Sequence, residues 1–182
     1  MAGWKTTFRH PVFQINMDPL DQILKLGNPK LHEKSQPLRK EELDEALEKA
    51  GLMGELVMEY RRRYGAGRAI AAPQIGDMKR LIVMNIDKPH IMINPVLEEK
   101  STDMMELWDD CMSFPNLLVR VRRHKTCIIR YRNESWQEQS WFLEGDMSEL
   151  IQHEYDHLDG ILATQRAIDN RSFSLKSERT EQ

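Results

Sequence analysis

The chain has 182 residues and a formal net charge of −3, with 26 basic and 29 acidic side chains. This length suits one domain with an ordinary core, and the near-balanced charge argues against a basic surface for nucleic acid or anionic membranes. No apolar run approaches the roughly 20 residues of a membrane span, and residues 1–13 lack the apolar core of a secretory signal. We therefore expect the protein to remain in the compartment where it is made.

The chain begins with a segment that has no clear hydrophobic period. Residues 1–22 are predicted to form an extended arm. A short apolar segment follows from Ile23 and ends in the Gly-Asn-Pro turn at residues 27–29.

Residues 40–63 carry apolar side chains at the spacing of an amphipathic helix, and we expect the apolar face to pack in the core. Gly51 and Gly54 lie inside this pattern and predict a break or kink. The basic runs at residues 61–63 and 120–125 are interpreted as solvated faces or strand edges.

Residues 64–76 are rich in glycine and alanine, which suits a loop whose backbone passes close to another group. Gln74, near the end of this segment, offers both an amide donor and an acceptor.

The middle of the chain consists of segments rich in β-branched and other apolar residues, separated by turn residues. The predicted strands are residues 80–86, 91–97, 104–108, 118–121, 126–132 and 136–143. Because one helix precedes them and another follows, the order predicts an α+β domain with antiparallel or mixed sheets, rather than alternating βαβ units.

The second helix is predicted at residues 146–158 and carries the strongest chemical signal. A helix turns about 100° per residue, so His153 and His157 lie one turn apart on one face and can share a metal ion. Glu154 lies beside them as a proton carrier. This pattern is typical of metal-assisted hydrolysis; the competing interpretation is a surface helix rich in His, Glu and Asp.

Two histidines do not complete a metal site, so a third ligand is required. Ala163 occupies the position where one family of zinc proteases has a third histidine. Only a short, mostly polar segment follows, which leaves little room for a glutamate from a downstream helix. Cys111 is the best upstream candidate. As a thiolate ligand it requires a reducing compartment, although a disulfide with Cys127 is a second possibility.

Three motifs, in this order, resemble those of the peptide deformylase family. Residues 67–74 read Gly-Arg-Ala-Ile-Ala-Ala-Pro-Gln and are similar to that family's Gly-x-Gly-Leu-Ala-Ala-Pro-Gln. Residues 109–113 read Asp-Asp-Cys-Met-Ser and resemble its Glu-Gly-Cys-Leu-Ser. Residues 152–160 read Gln-His-Glu-Tyr-Asp-His-Leu-Asp-Gly, which is the family's third motif.

The resemblance implies removal of the formyl group from the N-terminal formyl-methionine of nascent polypeptides, releasing formate. It also implies sheets packed around the metal-binding helix near the C-terminus. One divalent ion, with Fe(II) expected and Zn, Ni or Co also compatible, would bind to Cys111, His153 and His157. Glu154 would carry the proton, while the Gln74 amide and the Met112 backbone N–H would stabilise charge on the formyl oxygen.

The residues expected around the substrate depart from the family. The resemblance places the substrate pocket at Gly67, Arg68, Ala69, Asp146, Glu149 and Leu150, where apolar residues are usual. Charged groups suit an apolar thioether poorly, because desolvating them costs free energy. A polar or charged side chain next to the formyl group is therefore one hypothesis. The alternative is structural: Asp146 as N-cap and Glu149 at N3 would form a capping box, or Arg68 would pair with either acid.

Two other functions stay open beside deformylation of formyl-methionyl chains: hydrolysis of a different N-formyl substrate, and binding of N-termini without turnover. We predict a catalytic domain at residues 23–168 between the extension at 1–22 and a polar, mobile tail at 169–182. The expected partner is a formylated N-terminus, met at the ribosome, without direct nucleic-acid or membrane binding. The expected location is a bacterial cytoplasm, with an organelle matrix also compatible.

Overall fold

The computed structural model describes residues 18–179, so residues 1–17 of the arm predicted at residues 1–22 lie outside them. The prediction of extended structure is wrong at residues 19–22, which are helical. Packing begins before the predicted domain start at residue 23. A short 3-10 helix, Pro19–Gln22, buries Leu20 in the main core. Asp18 caps this helix by accepting a hydrogen bond of 2.9 Å from the backbone N–H of Leu20.

Helix α1 (Leu43–Tyr64) confirms the amphipathic helix predicted at residues 40–63. Its buried residues recur at steps of three and four, which turns one stripe toward the core; they include Ala46, Ala50, Met53, Val57 and Tyr60. The predicted break at Gly51 and Gly54 is wrong, because the helix is continuous. Gly54 instead permits close approach of β-structure: its carbonyl accepts a 3.2 Å hydrogen bond from the Asn85 side chain.

Within residues 18–179 the chain forms eight strands, and every strand pairing is antiparallel. They are β1 (Ala69–Ala71), β2 (Leu81–Asn85), β3 (Pro89–Glu98), β4 (Met104–Asp110), β5 (Leu117–His124), β6 (Thr126–Arg132), β7 (Glu138–Glu144) and β8 (Phe173–Leu175). One sheet has the order β1-β2-β3-β6-β7, and the other has the order β4-β5-β8.

Helix α2 (Asp146–Leu158) lies against strands of both sheets, and all its residues from Ser148 to Leu158 except Tyr155 are buried. Alternate side chains of β2 pack into hydrophobic clusters on opposite faces of the five-stranded sheet. Leu81 and Val83 pack in the cluster formed with α1, whereas Ile82 packs in the cluster that contains Ile151 of α2. The predicted α+β class is confirmed. Helix α2 is the last α-helix of the described residues, although β8 follows it.

Six predicted strands correspond to β2 through β7, with shifted ends, and two other expectations need correction. Residues 69–71, predicted as part of a loop, form edge strand β1 against β2. The segment after Ile168 was expected to be mobile, yet β8 pairs with β5. Both strands are held by backbone hydrogen bonds, which any sequence can make; side-chain periodicity therefore does not reveal them.

Gly160 follows α2 and has a φ of 72°; a Cβ there would lie 2.5 Å from the backbone oxygen of His32. Gly65 after α1 is a matched control, because its φ is 67° and a Cβ there would have no heavy atom within 4 Å. Alanine at either site should cost about 1–2 kcal/mol for the left-handed backbone. We expect Gly160→Ala to lower Tm clearly more than Gly65→Ala; equal shifts in thermal unfolding would contradict the steric argument.

Candidate metal centre

Three side chains from two elements meet at one buried point. Cys111 follows the last residue of β4, and His153 and His157 lie one turn apart on α2. Sγ of Cys111 lies 3.3 Å from Nε2 of His157, and the two histidine Nε2 atoms lie 3.1 Å apart. All three residues are at most 5% exposed. The structure therefore brings together the three residues that the sequence analysis predicted as metal ligands.

These donor atoms fit a single transition-metal ion. Ligand atoms of a tetrahedral site, with bonds of about 2.0–2.3 Å, lie roughly 3.4–3.6 Å apart, which is within a few tenths of an ångström of the distances here. One sulfur and two imidazole nitrogens suit Fe(II), Zn, Ni or Co better than Mg or Ca. A second cluster, Asp109, Glu149 and His153, shares a histidine with the first. Its two carboxylates are already paired with arginines, so it does not form an independent site.

The carboxylate of Asp109 contacts His153 at Nδ1, the ring nitrogen that does not face the candidate metal site. Its Oδ1 lies 2.8 Å from Nδ1 of His153, close enough for the carboxylate to act electrostatically on the ring. Its Oδ2 accepts a 2.9 Å hydrogen bond from Arg123. A carboxylate behind a ligating histidine orients the ring and makes it a better donor. Asp109 is therefore a supporting residue of the site and not merely a departure from the family motif.

A buried ion network connects this carboxylate to the metal helix. Arg123 of β5, with only 4% of its side chain exposed, contacts both Asp109 and Asp156 of α2. Asp156 also accepts a 2.7 Å hydrogen bond from Arg166. The interpretation of residues 120–125 as a solvated basic run is wrong at Arg123. The available signal was strand alternation, since Val119, Val121 and Arg123 share the inward face.

Gln74 lies in the short 3-10 helix Ala72–Ile75, directly after β1. Its Oε1 accepts a 2.9 Å hydrogen bond from the N–H of Ala71, which fixes the amide. Its Nε2 donates to Ser113 Oγ at 3.3 Å and toward Cys111 Sγ at 3.5 Å. The amide donor is thus directed at the candidate metal ligand, where charge can be stabilised.

Met112 and Glu154 complete the predicted catalytic set, and both line one cavity with Cys111 and His153. The backbone N–H of Met112 donates to no acceptor within residues 18–179, which leaves it available to a ligand. Glu154 is 4% exposed, and its Oε2 has no partner in the same part of the chain.

The protein environment shifts the pKa values of Glu154, His153 and His157. Burial raises the pKa of Glu154 to about 7. Burial disfavours protonated His153, but the Asp109 carboxylate outweighs burial and holds its pKa well above the usual range. Burial, followed by the charge of His153, lowers the pKa of His157 well below its usual value. A bound cation would favour the deprotonated forms of all three groups.

Five of the six residues assigned to the substrate pocket line this same cavity: Gly67, Arg68, Ala69, Glu149 and Leu150. Asp146 does not line it and is exposed. The capping-box interpretation is also wrong, because Gly145 is the N-cap of α2 and no side chain caps the helix. Glu149 instead accepts a 2.9 Å hydrogen bond from Nη2 of Arg68, which is the pairing that the sequence analysis had left open.

Cys111 and Cys127 are both free thiols, so they do not form the disulfide considered above. Across residues 18–179, the helices fall short of the length and hydrophobicity that spanning a bilayer requires.

Known proteins are similar to this chain in sequence and in fold. The sequence model of the polypeptide deformylase family matches residues 20–173. The chain is 34% identical over 171 residues to peptide deformylase 1 of Prochlorococcus marinus (strain MIT 9313), covering 86% of this chain and 85% of that protein. It superimposes on the crystal structure of peptide deformylase from Thermotoga maritima with a TM-score of 0.73 at 32% identity, covering 81% and 97%. With the Synechococcus elongatus peptide deformylase in complex with actinonin, the TM-score is 0.75 at 25% identity, covering 93% and 88%.

Proposed function

The chain belongs to the polypeptide deformylase family, and on this premise we propose a role for each residue of its metal centre. The protein is a metal-dependent hydrolase that removes the formyl group from formyl-methionyl N-termini of nascent polypeptides. One observation supports the residue roles most directly. Cys111 Sγ lies 3.3 Å from Nε2 of His157, which lies 3.1 Å from Nε2 of His153. Buried Glu154 lies beside this group of atoms.

Cys111, His153 and His157 would hold one divalent ion. Such an ion lowers the pKa of a water molecule and polarises a carbonyl group. Thiolate plus two neutral imidazoles would leave a net charge near +1 on a divalent ion and an open position for substrate. We propose Fe(II) as the native ion, as the family resemblance implies, with Zn, Ni and Co as compatible replacements because this nitrogen and sulfur donor set suits all four.

Side chains and one backbone N–H of this chain would transfer the proton and stabilise the developing negative charge. Glu154 takes a proton from the attacking water and passes it to the departing amine, so one carboxylate serves as base and then as acid. Gln74 and the N–H of Met112 donate toward the formyl oxygen, where negative charge builds. Asp109 keeps His153 oriented throughout.

We place the reaction on nascent chains at the ribosome, in a bacterial cytoplasm; an organelle that initiates with formyl-methionine would serve equally. The support is chemical: a thiolate ligand persists in a reducing compartment, and both cysteines are free.

Removing the ion tests the function. Protein purified without oxygen should release formate from formyl-Met-Ala-Ser, lose this activity on treatment with a chelator, and recover it when Fe(II), Co or Ni is added back. Metal analysis should give one ion per chain for the parent and for Cys127→Ser, the buried cysteine outside the site, but a loss of the ion for Cys111→Ser. Full metal content without formate release would favour an N-terminus-binding protein over an enzyme.

A further inference from the structure

The cavity beside the metal centre carries an ion pair that the proposed mechanism does not use. Arg68, next to strand β1, donates from Nη2 to Oε2 of Glu149 on α2, a residue 81 positions further along the chain. The Glu149 side chain is 10% exposed and that of Arg68 is 40% exposed. Both residues line the cavity that also contains Cys111, His153 and Glu154. A substrate that reaches the centre must therefore pass or contact this pair.

The pair leaves hydrogen-bonding capacity inside the cavity. Among residues 18–179, Oε1 of Glu149 accepts no hydrogen bond, and Arg68 uses only one of its five side-chain N–H groups. Tyr60 also lines the cavity, is 1% exposed, and its hydroxyl has no partner in that part of the chain. Buried polar groups rarely lack partners in folded proteins, so the unpartnered Tyr60 hydroxyl, together with the unused hydrogen-bonding capacity of the ion pair beside it, points to a polar ligand.

Charge and size narrow the type of ligand. Arg68 and Glu149 neutralise each other, so a charged side chain of either sign meets one attractive and one repulsive partner and gains no net attraction to offset the cost of its own desolvation. A neutral side chain can donate to Glu149 and accept from Arg68. The cavity has about 40 Å³ available, room for about three or four water-sized groups, and the formyl group takes part of it. A short polar side chain fits this space beside the ion pair and can reach both of its members.

We propose that Arg68 and Glu149 are specificity-determining residues that extend deformylation to N-termini whose first side chain is short, neutral and hydrogen-bonding, such as serine, threonine or asparagine. This inference rests on the proposed function. An apolar side chain in this cavity leaves Glu149 and Arg68 desolvated without new partners, which disfavours it. A site built to hydrogen-bond its substrate rejects an analogue without the polar group for the same reason.

The test is the ratio of kcat/KM for formyl-Ser-Ala-Ser to kcat/KM for formyl-Met-Ala-Ser, measured on the metal-loaded enzyme. In the parent we expect this ratio to be one or more. In the double variant Arg68→Leu/Glu149→Leu we expect it to fall at least tenfold. The control is Glu98→Leu/Arg130→Leu, which removes an exposed 2.8 Å ion pair outside the cavity and should leave the ratio unchanged.

Two further measurements keep the proposal falsifiable. If the double variant does not fold, Glu149→Gln removes one charge with little change of shape and should lower the ratio in the same direction. Dissociation constants of both peptides, measured on a Glu154→Gln background where turnover is slow, should change in the same proportion.

These measurements distinguish a failure of the proposed function from a failure of the specificity proposal. A parent that hydrolyses neither peptide contradicts the proposed function itself. A parent that strongly prefers formyl-Met, with the same ratio in the double variant, overturns only the specificity proposal. In that case a lower Tm in the double variant would mean that the ion pair simply joins β1 to α2.

Discussion

Replacing Glu154 by glutamine is expected to lower kcat for formate release from formyl-Met-Ala-Ser by about 10²–10⁴-fold, the usual contribution of general acid–base catalysis. The amide has nearly the shape of the carboxyl group but cannot accept the proton from the attacking water. Because the proposed ligands Cys111, His153 and His157 are untouched, the variant should retain one ion per chain. Steady-state kinetics and metal analysis on the same preparation measure the two quantities.

The stability of this variant should move in the opposite direction from its activity. Glu154 is 4% exposed, and its Oε2 has no partner within residues 18–179. A neutral amide avoids the cost of burying an unpaired carboxylate, so Tm should equal or exceed that of the parent. Glu138→Gln, at a side chain that is 80% exposed, is the matched control and should leave both kcat and Tm unchanged. A Glu154→Gln variant that keeps more than a tenth of parental kcat would contradict the assigned role.

Replacing Arg123 by methionine is expected to lower the free energy of unfolding by about 3–5 kcal/mol, because removing one partner strands a buried charge. Arg123 is the cation between Asp109 and Asp156, whose side chains are 2% and 10% exposed. Without it, Asp109 would be left buried with only its contact to His153, whereas Asp156 would keep its hydrogen bond from Arg166. The adjacent Arg122 is the control: its side chain is 59% exposed and pairs with Glu106 at 2.8 Å.

Arg122→Met should cost no more than about 1 kcal/mol, as is usual for exposed ion pairs. Both variants lie on β5 and lose the same charge, so their difference isolates burial. Urea unfolding at constant metal content measures both free energies. Equal losses for the two variants would mean that the network around Arg123 is not electrostatically important to the fold.

Local patterns in the sequence were sufficient for much of the fold. The helix at residues 146–158 follows from a period near 3.6, and it places His153 and His157 on one face regardless of the rest of the chain. The strand positions follow from β-branched runs between turn residues. Each of these inferences uses residues within about one or two turns, or one strand, of one another. The helix and strand predictions therefore do not depend on knowledge of the tertiary contacts.

The residues that surround the site could not be predicted from local sequence patterns. Arg123 lies in a run of basic residues, and only the strand alternation from Val119 hinted that it faces inward. Likewise, Glu149 satisfied the pattern of a capping box, yet its partner is Arg68, 81 positions away. A buried charge is tolerated only where a partner reaches it, and sequence spacing does not report distances between separate elements.

The sequence by itself determined that this chain carries two histidines and a glutamate on one helix, and that Cys111 was the best upstream candidate for the third ligand. Only the tertiary structure decided that β4 ends where Cys111 Sγ lies 3.3 Å from His157, that Asp109 and Arg123 support the helix from behind, and that Arg68 closes on Glu149. The physical reason is the range of the forces. Periodicity along one element follows from local backbone geometry, whereas ligand convergence and charge pairing depend on how separate elements pack.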